Sequence, residues 1–282
     1  MAKLLNVGCG AAFHPSWTNI DLVSSSPNVQ SYDIRKGLPY PDSYFDACYH
    51  SHVLEHQTQS EAEKFLAECW RVLKPQGILR VVVPDLEGLV RHYLQALENV
   101  EAGIKKEEPN YDWMMLELYD QTVRTCSGGE MRNYLKSQDI KNKEFILSRI
   151  GWQAELYWKK DNQENTQSLK TIIQKLSSKK IARLSNKMRM LMIKKIVTLM
   201  AGQEGGQAFA EGYFRQCSGE IHRWMYDRFS LKRLLEKTGF AEVQVCSADK
   251  SQIPEFNSYE LDIIEGKVRK PDSLFMEGIK VK

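Results

Sequence analysis

The stretch Ile78-Leu-Arg-Val-Val-Val83 is the strongest constraint on what this chain can become. Nearly every residue in it is aliphatic or β-branched, with Lys74-Pro-Gln-Gly77 before it and Pro84-Asp85 after it. Such a run reads as a strand covered on both faces, which needs a neighbour on each edge and a packed layer above and below. The chain supplies the neighbours. Residues 3 to 8 read as a short buried strand, Thr18 to Leu22 as a second, and Tyr44 to Tyr49 as another. Between Glu61 and Leu73 the apolar residues Ala62, Phe65, Leu66, Cys69, Val72 and Leu73 recur at helical spacing, and Lys-Pro-Gln-Gly stops the helix. Strands alternating with helices predict a parallel sheet in an α/β layer fold.

The same pattern returns late in the chain. Ser230 to Gly239 reads as an amphipathic helix with a serine cap and a glycine stop, leading to a strand at Glu242 to Cys246 and a last one over Leu274 to Val281. The residues between are different in character: helical in periodicity, rich in Tyr, Trp and Met, and without a buried strand. The expected division is therefore a core of residues 1–85 and 218–282, with 86–217 a helical cap that serves as substrate lid or membrane-interface element. A chain of 282 residues is long enough for one large domain carrying such an insertion.

In an open parallel sheet, ligands bind at the carboxyl ends of the strands, and chemistry-bearing residues gather there. Gly8 and Gly10 follow the first strand, where missing side chains let a ligand approach the backbone. Asp21 follows the second, suited to accept bonds from ribose hydroxyls. Asp33 lies in Tyr-Asp-Ile-Arg, His50, Ser51 and His52 follow Tyr49, and Pro84 and Asp85 follow Val83. A dinucleotide is a poor match: the position two after Gly10 is Ala12, Pro15 follows soon after, and Gly10 and Asp21 are too close for a full crossover helix.

Together these residues resemble class I S-adenosylmethionine-dependent methyltransferases of the type 11 kind. Leu5-Asn-Val-Gly-Cys-Gly10 looks like their first motif. Leu38-Pro-Tyr-Pro-Asp-Ser-Tyr-Phe-Asp46 is similar to the lead-in to their fourth strand, His52-Val-Leu-Glu-His56 to their VLEH turn, and Arg71 to Leu79 to their RVLKPGG stretch. The resemblance covers residues 3 to 85 and, more loosely, 227 to 246. It implies a Rossmann-like, mostly parallel sheet and S-adenosylmethionine as cofactor, held by Asn6, Gly8, Cys9, Gly10, Asp21, Leu22, Asp33, Ile34 and His50. The phrases at His14 to Asp21 and Arg269 to Phe275 further resemble a bacterial group associated with surface-glycan biosynthesis, which implies O-methylation of a sugar or glycan intermediate. Two departures stand out: Ala12 near the place of a third glycine, and little room for a helix after the first motif.

Methyl transfer from a sulfonium is an in-line displacement in which the protein aligns the partners, and a hydroxyl acceptor also needs a base. His222, in Gly219-Glu-Ile-His-Arg-Trp-Met-Tyr-Asp227, is the first candidate; its alternative role is to tie the cap to the sheet. His52 and Asp85 are rivals at strand ends, while His56 is expected to turn into the fold. Arg223 could grip an anionic or sugar substrate and Trp224 could stack on a ring; the same choice between core and ligand applies to Tyr111, Trp113 and Met114. Asp46 is expected to orient backbone at the start of its strand. No metal is implied: the six cysteines are scattered without CxxC or Cys/His clusters, which also argues against a disulfide framework.

One further feature is a basic block. From Asn165 to Gln203 there are nine basic residues and no acidic ones, so the remainder of a chain with formal charge +3 sits at −6. Ile172, Ile173, Leu176, Leu184, Met188, Leu191, Met192 and Leu199 recur among them at three- and four-residue intervals. Helices of this type pack on a domain as a solvated face or lie in an anionic membrane interface. The expectation is a cytoplasmic enzyme with a small-molecule or glycan acceptor, peripheral membrane contact through 168–200, and an insertion that could equally form a homodimer interface. Two rivals remain. An RNA methyltransferase would use the lysines on a backbone, but Tyr49-His50-Ser51-His52 stands where amino-methylases carry Asn/Asp-Pro-Pro-Tyr/Phe. The other is a non-catalytic scaffold that keeps the cofactor fold.

Overall fold

The computed structural model describes residues 2–24, 26–164 and 178–281. They form two compact units. The first, Met1–Leu118 with Lys141–Gln153 and His222–Lys282, carries the sheet. Its strands are β1 (Leu4–Val7), β2 (Thr18–Asp21), β3 (Val29–Ser31), β4 (Phe45–Ser51), β5 (Leu73–Pro84), β6 (Phe240–Cys246) and β9 (Ser273–Lys280), in the order β3-β2-β1-β4-β5-β9-β6. A small hairpin of β7 (Ile263–Ile264) and β8 (Lys267–Val268) stands apart. The first five sheet strands are parallel, and β9 runs antiparallel to both β5 and β6. This is the mixed α/β Rossmann-like sheet that the strand and helix pattern predicts.

Alternation along the central strands divides the core into two layers. Leu5, Val7, Cys48, Leu79, Val81 and Val83 face α1 (Gln59–Val72) and, later in the chain, α8 (Arg228–Lys237), meeting Phe65, Leu66, Cys69, Leu231 and Leu235. Leu4, Ala47, Tyr49, Val82 and Phe275 point the other way, onto Trp17, Ile253, Phe256 and Leu261. The aliphatic run of β5 thus splits Val81 and Val83 from Val82, which is why both faces had to be apolar. A reciprocal cap of Thr58 and Glu61 starts α1. For α8 the cap is Asp227, with Ser230 its reciprocal partner rather than the cap itself. Asp46 does orient backbone, accepting from Lys3 N at 2.7 Å.

Arg80 is the exception in β5. It is fully buried, and its guanidinium donates to Asp262, Glu277 and the carbonyls of Lys250 and Ala248, at 2.8, 2.8, 2.8 and 3.1 Å. A buried charge survives only when paired and hydrogen-bonded in this way.

Between β5 and α8 the described chain is helical: α2 (Leu86–Glu101), α3 (Glu108–Val123), α4 (Gly129–Leu135), α5 (Lys143–Ile150), α6 (Trp152–Glu164) and α7 (Ser178–Cys217). Both α2 and α5 belong to the unit of the sheet, as does α3 up to Leu118. There Trp113 and Met114 are core, and Glu117 pairs with Arg149 at 2.9 Å. The second unit comprises Tyr119–Ile140 and Ala154–Ile221. Within it Asp120 accepts from Glu130 N and pairs with Arg124, and Gly202 breaks the helical path of α7 with φ 74°. Of the basic block, Lys170, Ile172, Ile173, Lys175 and Leu176 lie outside the described residues.

Candidate active site at the strand ends

The glycine turn after β1 is built from both sides. Gly8 N and Cys9 N donate to Ile20 O at 2.8 and 3.3 Å, and Gly10 N donates to the Asp21 carboxylate at 2.9 Å. Asn6, buried in β1, braces the loop by donating to Ala12 O and Asn19 Oδ1. Gly8 and Gly10 have φ of +65° and +54°, a region that favours glycine. Their surroundings differ. A Cβ on Gly8 would lie 2.5 Å from Val53 Cγ2, whereas one on Gly10 would meet nothing within 4 Å. The turn is therefore clamped at its first glycine and open at its second. No helix separates β1 from β2 among the described residues, in line with the short spacing.

Asp21 also accepts from Val23 N at 2.9 Å, which leaves lone pairs on both oxygens for further donors. Beside it Leu22 is 56% exposed, an apolar side chain uncovered next to a carboxylate. The Cys9 thiol is pushed up to about 12 by burial and by the Asp21 charge, so it is inert. Asp33 caps a short 3-10 turn at Ile34–Lys36 and is held by Arg35 through both oxygens at 2.8 Å, which keeps its carboxyl below the usual range. His50 is wholly buried with its ring against Phe65, neither nitrogen has a hydrogen-bond partner, and burial pushes it down to about 3.

A second group of polar residues gathers just beyond β4. His52 has φ 57°, an uncommon conformation for a non-glycine residue, and its N donates to Val82 O at 2.9 Å. That turn directs its ring between Glu55 and Ser273: Nδ1 is 3.0 Å from Glu55 Oε1 and Nε2 is 2.9 Å from Ser273 Oγ. Burial, followed by the charges of Lys270 and Arg269, holds His52 well below the ordinary histidine range. Glu55 has 0% exposure and no hydrogen bond to either carboxylate oxygen; burial pushes it up to about 8. Lys270 is pushed down to about 8 by burial and then by Arg269, while Asp272 is raised by burial.

The segment carrying His222 is fastened to this group through its backbone. Arg223 N and Trp224 N both donate to Glu55 O, at 2.6 and 3.2 Å, and Leu86 N donates to Tyr226 O. His222 is buried, with its ring 5.0 Å from that of His56. His56 does not turn into the core: it is partly exposed and its Nε2 lies 3.8 Å from Glu55 Oε1. Arg223 reaches Glu61 at 3.9 Å, and Trp224 is 43% exposed rather than core. Asp85 caps α2 by accepting from Glu87 N at 3.1 Å. The structure thus gathers His52, His56 and His222 around Glu55, while Asp85 serves the helix. Glu55, Lys270 and Asp272 were missed as chemistry from sequence, although the VLEH turn and the RKPDSLF phrase contain them.

Part of the chain is similar to known proteins. The family model described as a methyltransferase domain matches residues 5–81, which hold the glycine turn, Asp21, Asp33 and the VLEH turn. No curated protein matches the chain. Among solved structures, the [4+2]-cyclase SpnF is 30% identical over 29% of this chain and 38% of its own, with a TM-score of 0.24. The chain therefore spans well under half the length of that relative. A SAM-dependent methyltransferase from Archaeoglobus fulgidus is 12% identical over 99% of this chain and 86% of its own, with a TM-score of 0.38. One from Thermotoga maritima shows the same identity and TM-score, covering 99% and 83%. Residues 5–81 are thus similar to a methyltransferase domain, within a sheet that is Rossmann-like.

Proposed function

We propose that the chain is an S-adenosylmethionine-dependent methyltransferase acting on a hydroxyl of a sugar or glycan intermediate. The observation that carries the reading is the glycine turn: clamped at Gly8, open above Gly10, and joined by its Gly10 amide to an Asp21 carboxylate with lone pairs to spare. The turn fits the cofactor, with polar acceptors and the exposed Leu22 side chain next to one another. When bound, the cofactor supplies an electrophilic methyl group on a sulfonium. Asp21 would accept from its ribose hydroxyls, with Leu22, Asp33 and Ile34 holding its adenine side. Asn6, Cys9 and His50 act by shaping the turn and the end of β4.

The acceptor side is formed by the segment after His222. Trp224 offers a half-exposed face for a sugar ring, and Arg223 a charge for an anionic group. The hydroxyl proton passes to an imidazole, with His222 the first candidate and His52 the second. Asp85 supports the site as a helix cap. Incubation with methyl-labelled S-adenosylmethionine and extracts of nucleotide-linked and lipid-linked sugars tests the reading. Label transferred to a sugar fraction, and lost in Arg223→Ala with Trp224→Ala, is expected. Label entering RNA instead would replace the acceptor class, and no S-adenosylhomocysteine with any extract would favour a scaffold.

A second element concerns where the acceptor is met. In α7 the apolar side chains Met188, Leu191, Met192, Ile196, Leu199 and Met200 are all more than half exposed, beside Arg189, Lys194 and Lys195. No described helix is long and apolar enough to cross a membrane. An apolar stripe flanked by cations suits the surface of an anionic bilayer, where lipid-linked glycans reside. Co-sedimentation with anionic vesicles at low salt and release at high salt is the expected result; no binding at either salt would remove this element.

A further inference from the structure

Glu55 poses a problem that the methyltransferase reading leaves open. It is completely buried, and neither of its oxygens has a hydrogen-bond partner, although His52 Nδ1 lies 3.0 Å from Oε1. A buried carboxylate in that state is costly to keep, and a native fold retains one when something else satisfies it. The groups around it are of one kind. Among the described residues, Glu55, His56 and His222 each offer one ligand atom, all within 4.8 Å of one another. We infer that these three residues bind a divalent first-row transition cation.

The donor set sets the class of cation. Two imidazoles and one carboxylate are the three protein ligands of open zinc sites and of facial iron(II) sites, whereas magnesium and calcium favour oxygen alone. A cation about 2.1 Å from each ligand holds neighbouring ligand atoms about 3 to 3.5 Å apart. Glu55 Oε1 and His56 Nε2 are at 3.8 Å, so that pair needs a few tenths of an ångström of adjustment. The His222 ligand atom lies within 4.8 Å of the other two, so a side-chain rotation brings it into range.

The framework around the three residues is prepared for this. Glu55 and His56 are consecutive on the 3-10 turn Leu54–His56, and the backbone bonds from Arg223 and Trp224 to Glu55 O fix the extended segment that brings His222. Behind the carboxylate, His52 stands with Nδ1 at 3.0 Å from Oε1 and Nε2 held by Ser273 Oγ. A ligand oriented by a neighbour that is itself hydrogen-bonded is the usual arrangement around a bound metal. The positive charge of Lys270 also acts on Glu55, and it is the competing counter-charge.

The site adjoins the cofactor turn. Val53, two residues before Glu55, is the side chain against which Gly8 is clamped. With His222 as a ligand its imidazole no longer takes the hydroxyl proton: a hydroxyl completing the open positions of such a cation would instead be acidified by the cation and lose its proton to water. This role rests on the methyltransferase reading; the binding of the cation does not.

The test uses the full chain stripped with chelator. Co2+ is titrated by absorption and Zn2+ by calorimetry. One equivalent with micromolar or tighter affinity is expected, with a visible Co2+ band. Glu55→Gln and His222→Gln should each weaken binding at least tenfold, while His92→Gln, a histidine on α2, leaves it unchanged. Thermal unfolding in chelator shows that each variant is folded. S-adenosylhomocysteine binding is measured separately on the stripped protein, so cation binding without it removes only the role in methyl transfer. No stoichiometric binding by the wild-type chain, or binding indifferent to Glu55→Gln and His222→Gln, overturns the site and leaves Lys270 as the counter-charge.

Discussion

Arg80 and Glu55 are both fully buried charged residues in the unit of the sheet, and the fold treats them in opposite ways. Every side of the Arg80 guanidinium is met, by two carboxylates and by carbonyls of the segment after β6. Glu55 receives no hydrogen bond, and its near neighbours are histidines. The first is architecture: a charge whose partners join β5, β9 and the 247–262 segment. The second has its carbonyl fixed by backbone bonds from Arg223 and Trp224 while its carboxylate oxygens have no hydrogen bond, and it is the centre of the inferred cation site. Burial alone does not separate the two roles; satisfaction of the polar atoms does.

Substitutions can break or sharpen this contrast. Arg80→Met strands Asp262 and Glu277 without their counter-charge and should cost about 3–5 kcal/mol, read from the urea midpoint of the sheet-bearing unit. Glu55→Met, compared in chelator, should change stability by less than about 1 kcal/mol, because an apolar group of similar size replaces an unsatisfied one. Equal damage from both would erase the contrast. Gly8→Ala forces a side chain into φ +65° against Val53 and should cost about 1–3 kcal/mol. Gly10→Ala pays only for its backbone angle, about 1–2 kcal/mol, since nothing lies within 4 Å.

The remaining expectation concerns pH. His50 sits near 3 in the folded chain and near 6.5 when unfolded. Between those values the unfolded chain binds a proton that the folded chain does not, so the contribution of His50 to stability is complete above about 6.5 and is lost as pH falls toward 3. His50→Phe should flatten the stability profile in that window by up to about 1.4 kcal/mol per pH unit. An unchanged slope would mean that the His50 ring meets a proton acceptor that the structure does not contain.

Much of this was legible in sequence because local chemistry and global fold agree there. The strands β1, β4 and β5 declare themselves by apolar runs, α1 by its spacing and its proline-glycine stop, and the tight turn after β1 by Gly8 and Gly10. What was not legible depends on distance along the chain. Arg80 looks like a flaw in an aliphatic strand until Asp262 and Glu277 arrive from nearly two hundred residues away. Glu55 looks like part of a turn motif until residues 222–224 bond to its carbonyl. The short β3, three residues with one buried, carries too little pattern to read. Asp227 and Ser230 both suit a cap, and only geometry distinguishes the cap from its partner.

The cofactor site is the central claim, and S-adenosylhomocysteine binding by titration calorimetry tests it most directly, comparing the wild-type chain with Asp21→Asn. Asparagine keeps an acceptor for the Gly10 amide but loses the charge and one acceptor toward ribose hydroxyls. Micromolar binding by the wild type, weakened at least tenfold, or about 1.4 kcal/mol, by the substitution, is the predicted result. No heat and no thermal stabilisation in the wild type, or equal affinity in Asp21→Asn, would contradict the assignment of the turn and of Asp21.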